Sequence, residues 1–166
     1  MKLDSSGPVF FIQKRVGRNR KLFKIYKFRS MYCKQLARRK LKSNPSKNGF
    51  SQVKNDPRIT KVGVFLRKFS IDELPQLINV FKGDMSFIGP RPFIKSEIDL
   101  LTANHLRRLD VKPGISGMAQ INGRSKASLE QREEWDLYYV DNLSFKLDIK
   151  ILLKTIIVVV TRRDVL

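Results

Sequence analysis

The sequence predicts a mixed α/β fold of the α+β kind: a compact helical platform carrying an N-terminal β-hairpin and a short sheet, with amphipathic helices suited to an interface. Three observations predict it. Two runs rich in aromatic and β-branched residues flank the turn sequence GRNR within residues 8–31. Apolar residues recur at helical spacing in several segments after residue 60. Between those segments, Gly- and Pro-rich stretches leave room only for short strands. A chain of 166 residues, 42% of them hydrophobic, suffices for one ordinary core, so 1–166 reads as a single domain. Neither G-x-G-x-x-G nor a P-loop occurs, which argues against a doubly wound nucleotide fold.

The elements follow in order. PVFFIQKRVGRNRKLFKIYKFRSM, residues 8–31, reads as a hairpin turning at Gly17–Arg20. Residues 33–58 are polar, basic and punctuated by Pro45, Gly49 and Pro57, so the second half reads as a mobile loop. Thr60 opens a short amphipathic helix with Val62, Phe65, Leu66 and Phe69 on its apolar side. ELPQLINVF gives a second helix, with Leu74, Leu77, Ile78 and Phe81 on one face and Gly83 as its stop. SFIGPRPF cannot continue a helix. Residues 94–109 look helical, KPGISGMAQINGR forms turns around a short strand-like stretch, and SLEQREEWDLYYVDN is another helix. In FKLDIKILLKTIIVVV, Lys146, Lys150 and Lys154 share one helical face and apolar residues cover the rest. That pattern suits a helix lying at a lipid interface; a core helix, or a strand favoured by the β-branched run 156–160, is the alternative.

The balance of 34 basic against 15 acidic side chains gives a net charge of +19. Such a surface favours polyanions: nucleic acid, anionic lipid headgroups or phosphorylated substrates. One cysteine, Cys33, excludes an internal disulfide and reads as structurally incidental, because the single histidine, His105, lies in another segment. The start of the chain lacks a signal-peptide apolar region, and no uncharged apolar stretch reaches the about 20 residues that span a bilayer.

Against this basic background, Asp72 and Glu73 stand side by side. Helix capping accounts for them in one way: Ser70 with Glu73 fits S-x-x-E, and Asp72 before Pro75 is itself a candidate N-cap. Chemistry accounts for them in another. Arg67 and Lys68 lie one turn upstream, Asp84 lies at the downstream turn, and Arg91 is fixed between Pro90 and Pro92, a pre-set cation for phosphate. A carboxylate can attack phosphorus and form an acyl phosphate that retains the activation of the original linkage. A neighbouring carboxylate can help hold Mg²⁺, which favours carboxylate, phosphate and water oxygens. Capping and chemistry are compatible, since a helix N-terminus attracts both carboxylates and phosphates.

Four long motifs, GPVFFIQKRVGRNRKLFKIYKFRSM, DPRITKVGVFLRKFSIDELPQLINVFKGDMSFIGPRP, KPGISGMAQINGR and WDLYYVDNLSFKLDIKILLKT, follow one another in an order and spacing that resembles the bacterial sugar transferases, the monotopic phosphoglycosyl transferases or polyprenyl-phosphate sugar phosphotransferases. The resemblance covers nearly the whole chain. It implies an enzyme that moves a sugar 1-phosphate from a UDP-sugar to polyprenyl (undecaprenyl) phosphate, releasing UMP, at the cytoplasmic face of the bacterial inner membrane, and so initiates surface glycan synthesis. It implies Asp72 as nucleophile and Glu73 with it in a Mg²⁺ site. It further implies Arg67 and Arg91 on phosphate, Arg124 with PGISGMAQINGR on the nucleotide side, and Lys27 and Arg29 near the anionic headgroup or lipid phosphate. Asp136 matches a further family position, for which a structural role is the alternative. The family's hydrophobic re-entrant helix precedes the GPVFF segment, and Met1 stands where that helix would end. Met118 replaces a frequent aromatic, a soft change for a side chain that fills irregular apolar space. Two other classes compete: a nucleic-acid binder built on the basic loop 34–58 with interleaved aromatics, which leaves the acidic pair unexplained, and a non-catalytic membrane-surface module. The preferred reading expects no specific nucleic-acid partner.

Overall fold

A computed structural model of the chain describes residues 1–33, 56–123 and 127–161. Most of the expected basic loop, and Arg124, lie outside the described residues. The hairpin forms as its alternation predicts. Strand β1, Phe10–Val16, pairs antiparallel with β2, Leu22–Phe28, and the turn between them places Asn19 and Arg20 at positive φ. Period-2 alternation sets Phe23, Ile25 and Lys27 on one face of β2. Phe23 and Ile25 bury against Met85, and Lys27, next along that face, reaches the acidic pair.

Helix α1, Lys61–Lys68, starts at Thr60, whose side-chain oxygen accepts from the Gly63 N–H. Gly63 sits so close to the preceding chain that a Cβ there would lie 2.0 Å from the Ser30 carbonyl oxygen. This contact sets α1 directly on the end of the hairpin strand, and it turns the helix so that Leu66 is buried while Phe65 is exposed. The apolar face expected for α1 is thus divided between core and surface.

ELPQLINVF does not form one α-helix. Ser70 adopts a left-handed conformation (φ 54°), Ile71–Gln76 form a 3-10 helix, and only Leu77–Phe81 are α-helical (α2). Pro75 is the physical reason: it lacks an N–H and disfavours α geometry in the residue before it. Its apolar face also points the other way from a core helix. Asn79 is fully buried, whereas Leu74, Ile78 and Phe81 are exposed, Phe81 to 90%. The Asn79 amide replaces apolar packing, donating to the Lys24 carbonyl at 2.7 Å and accepting from the Tyr26 N–H at 3.1 Å.

Strand β3, Ser86–Ile88, pairs in parallel with β4, Gly114–Ser116, the second short sheet. Residues 94–109 are not one helix but a single turn, α3 at Lys95–Ile98, and a 3-10 segment at His105–Leu109. The Gly-rich segment after β4 contains a helix unseen in its sequence pattern, α4 at Met118–Asn122. Helix α5, Leu129–Asp141, begins in a reciprocal cap between Ser128 and Gln131.

Helix α6, Phe145–Thr161, includes the β-branched run 156–160, so the strand alternative fails there. It buries Ile151 against Ile88 and Tyr139, with Met118 packed on the same cluster, and leaves Leu153, Ile156, Ile157 and Val160 exposed. An amphipathic helix with only one fully buried side chain is no core helix. No helix among the described residues is long and apolar enough to cross a membrane.

Candidate functional site

The site forms where the 3-10 segment crosses the inner face of the hairpin. Glu73 reaches Lys27 of β2, with Nζ 2.8 Å from Oε1, and the same oxygen lies 3.4 Å from Arg91 Nη1. These contacts settle the capping alternative for Glu73: the Ser70 side chain makes no cap hydrogen bond, and the Glu73 carboxylate faces two cations instead of the helix start. The Asp72 carboxylate caps nothing and has no hydrogen-bond or ion-pair partner among the described residues. Its field comes from Lys27, Arg67 and Arg91.

The two acids are driven apart electrostatically. Burial pushes the Glu73 carboxyl up, but Lys27 and Arg91 together outweigh it and hold the group at about 2. Burial and the Glu73 charge beside it push Asp72 up, against the pull of the three cations. Burial lowers Lys27, and Glu73 opposes that shift. Glu73 is thus the fixed anion of an ion-paired group, and Asp72 is the carboxylate left without a direct partner among the described residues.

Arg67 lies at the end of α1, where its Nε donates to Ser30 Oγ at 2.9 Å and its charge acts on Asp72. Arg91 projects from the Pro90–Pro92 segment and is part exposed. Arg29 is not brought to this cluster. It is buried, and its guanidinium donates to the Pro8 carbonyl and to Ser5 Oγ and carbonyl, fixing the N-terminal segment. Asp136 takes the structural alternative: it is 2% exposed and pairs with Arg108 at 2.6 Å, while burial lifts its carboxyl to about 6. Cys33 contacts the Ser6 carbonyl, and His105 pairs with Glu133, so neither joins the acidic pair.

A shallow open cleft lies beside Glu73, lined by Lys27, Glu73 and Arg91 together with Arg15, Gln76 and Gly114; Asp72 is not among its lining residues. Arg15 and Gln76 were not legible as site residues. Arg15 lies two residues from Gln13 on the same face of β1, so alternation combined with the register could have placed it.

Among the described residues, no group of three or more His, Cys, Asp and Glu stands together. A divalent ion of the Mg²⁺ kind is nevertheless served by one or two carboxylates completed by substrate phosphates and water. The donor set fits that partial role: Asp72 offers both oxygens, and Glu73 keeps Oε2 outside its contacts with Lys27 and Arg91.

Residues 1–162 match the family described as bacterial sugar transferase. The uncharacterized sugar transferase EpsL of Bacillus subtilis is 46% identical over 156 residues, a match covering 94% of this chain and 72% of that protein. The galactosyl transferase CpsE of Streptococcus agalactiae is 45% identical over 156 residues, with 92% of this chain and 35% of CpsE covered. The undecaprenyl-phosphate galactose phosphotransferase of Salmonella typhimurium is 44% identical over 164 residues, with 95% and 34% covered. The chain therefore spans most of EpsL but only about a third of the other two. With a family match along almost its whole length and identities this high, the chain belongs to the bacterial sugar transferase family.

Proposed function

We propose that the chain is a phosphoglycosyl transferase that moves a sugar 1-phosphate from a UDP-sugar to polyprenyl phosphate by way of Asp72. In the first step an Asp72 oxygen attacks the phosphorus that carries the sugar. The bond from that phosphorus to the bridging oxygen breaks, and UMP leaves with the electron pair. In the second step an oxygen of polyprenyl phosphate attacks the same phosphorus, the bond to Asp72 breaks, and a polyprenyl diphosphate sugar departs. Phosphoryl transfer depends mainly on positioning and on neutralising the growing anionic charge. Lys27, Arg67 and Arg91 are the cations around Asp72 that do so. Mg²⁺, when bound by Asp72 and Glu73, would add to that neutralisation. Glu73 fixes the positions of Lys27 and Arg91 before substrate arrives.

One observation carries the reading: Asp72 is a carboxylate without a direct partner among the described residues, set among three cations, while its neighbour takes the ion pairs. The exposed apolar sides of α2 and α6 support work at the surface of the membrane that holds the lipid acceptor. The name of the Salmonella typhimurium relative supports undecaprenyl phosphate and a sugar phosphate as the substrate classes. The test is incubation of full-length protein with labelled UDP-sugar and no lipid acceptor. A sugar-phosphate adduct that vanishes in Asp72→Asn is the expected result; its absence from the wild type overturns the reading.

A further inference from the structure

The carbonyls of Pro90, Arg91, Pro92 and Phe93 are held one by one, each from a different place. Pro90 accepts from the Gly114 N–H at 3.0 Å and Phe93 from the Val16 N–H at 2.9 Å. Between them, Arg91 accepts from Arg108 Nη2 at 2.8 Å and Pro92 from Arg15 Nη1 at 3.1 Å. The two prolines have no N–H of their own, so this segment cannot order itself by an ordinary ladder. Two buried or half-buried guanidiniums complete it.

Arg108 is the stronger of these holds. It is 3% exposed, its Nη2 also meets Asp136 at 2.6 Å, and its guanidinium lies 3.5 Å over the Phe93 ring. One side chain therefore grips the Arg91 carbonyl and the aromatic ring two residues on. Stability alone is a poor account of the pair. A buried ion pair contributes little beyond well-packed apolar residues, and this one leaves Arg108 Nη1 and Asp136 Oδ1 buried without a hydrogen-bond partner among the described residues. Planar, forked donors are what fixing a backbone direction requires.

We propose that Arg108, oriented by Asp136, is a positioning residue for Arg91: it fixes the backbone from which the Arg91 guanidinium reaches a bound diphosphate and touches no substrate itself. The proposal rests on the reading of Arg91 as a phosphate-gripping group. It separates the basic residues of the chain into those that meet substrate and those that aim them.

The test is a double-mutant cycle on full-length protein, with inorganic pyrophosphate as the probe and calorimetric affinity as the readout. Arg91→Ala and Arg108→Lys are each expected to weaken pyrophosphate binding about tenfold, while Arg108→Lys in the Arg91→Ala background changes it less than about twofold. Equal losses from Arg108→Lys in both backgrounds overturn the proposal, as does an affinity indifferent to Arg91 or to Arg108. If Arg108→Lys fails to fold, Phe93→Leu, which removes the ring beneath the guanidinium, takes its place in the same cycle with the same expectations. The adduct assay on wild-type protein is independent: pyrophosphate binding without adduct sinks the transferase reading and leaves the cycle interpretable.

Discussion

Lys27 and Glu73, 46 residues apart in sequence, meet at 2.8 Å inside the fold. Their pairing joins the hairpin to the 3-10 segment and leaves the adjacent Asp72 without a direct partner among the described residues. Removing either partner isolates a half-buried charge, whereas removing Asp72 breaks no hydrogen bond or ion pair among the described residues. That asymmetry separates structural from chemical effects in the variants below.

Asp72→Asn is expected to leave the thermal midpoint within a few degrees of wild type, because no hydrogen bond or ion pair among the described residues is lost. Adduct formation should fall by at least about 10³-fold, since an amide oxygen cannot serve as the attacking group. Thermal melting and the adduct assay on the same preparation check both halves; an unfolded Asp72→Asn would mean that the carboxylate serves the fold.

Glu73 is held at about 2 against an ordinary 4.5. A depressed carboxyl contributes stability that is present above about pH 4.5 and is lost as pH falls towards 2. Urea unfolding between pH 7 and pH 2 should show wild type well above Glu73→Gln at neutral pH, by about 3 kcal/mol because Lys27 is left without its partner, with the gap closing in acid. A gap that does not change with pH would contradict the pairing.

Gly63→Ala tests the seat of α1. Its added methyl would meet the Ser30 carbonyl oxygen at 2.0 Å, a backbone atom that cannot swing aside. A loss of about 1–3 kcal/mol is expected in urea unfolding, with a lower adduct rate because α1 carries Arg67. An unchanged midpoint would show that helix and strand are not in contact here.

Asn79→Leu tests the buried amide under β2. Nearly isosteric, it strands the Tyr26 N–H and the Lys24 carbonyl, and should cost about 2–4 kcal/mol in urea unfolding. A neutral effect would mean that water satisfies both groups.

Much of this was legible from residue patterns. The hairpin follows from two β-prone runs around GRNR, and α5 falls within SLEQREEWDLYYVDN, the stretch read as a helix. The acidic pair and the Pro-fixed Arg91 can be marked as a candidate site from the residues alone. Other features depend on distances that sequence does not carry. Helical spacing showed that Leu74, Ile78 and Phe81 share a side, but periodicity cannot tell a side turned to the core from one turned outward. The role of Asn79 within an apolar run is set by its meeting with β2, which no residue pattern shows. Arg29, two residues past Lys27, had equal claim to an anion by alternation, but it lies beyond the end of β2, where Pro8 and Ser5 take its donors. Arg108 resembled any other surface cation, because its role is defined by residues 91, 93 and 136 together.

The fixed segment at Pro90–Phe93 has a consequence for the order of folding. Its anchors come from both earlier and later chain, and the Arg15–Pro92 contact alone spans 77 positions. Contacts of such separation form late, after loop closure has been overcome. A nascent chain that has not yet delivered residue 114 holds Asp72 and Arg91 but not the means to set one against the other. Competence at this site should therefore arrive in a single late event, together with the closing of the parallel strands.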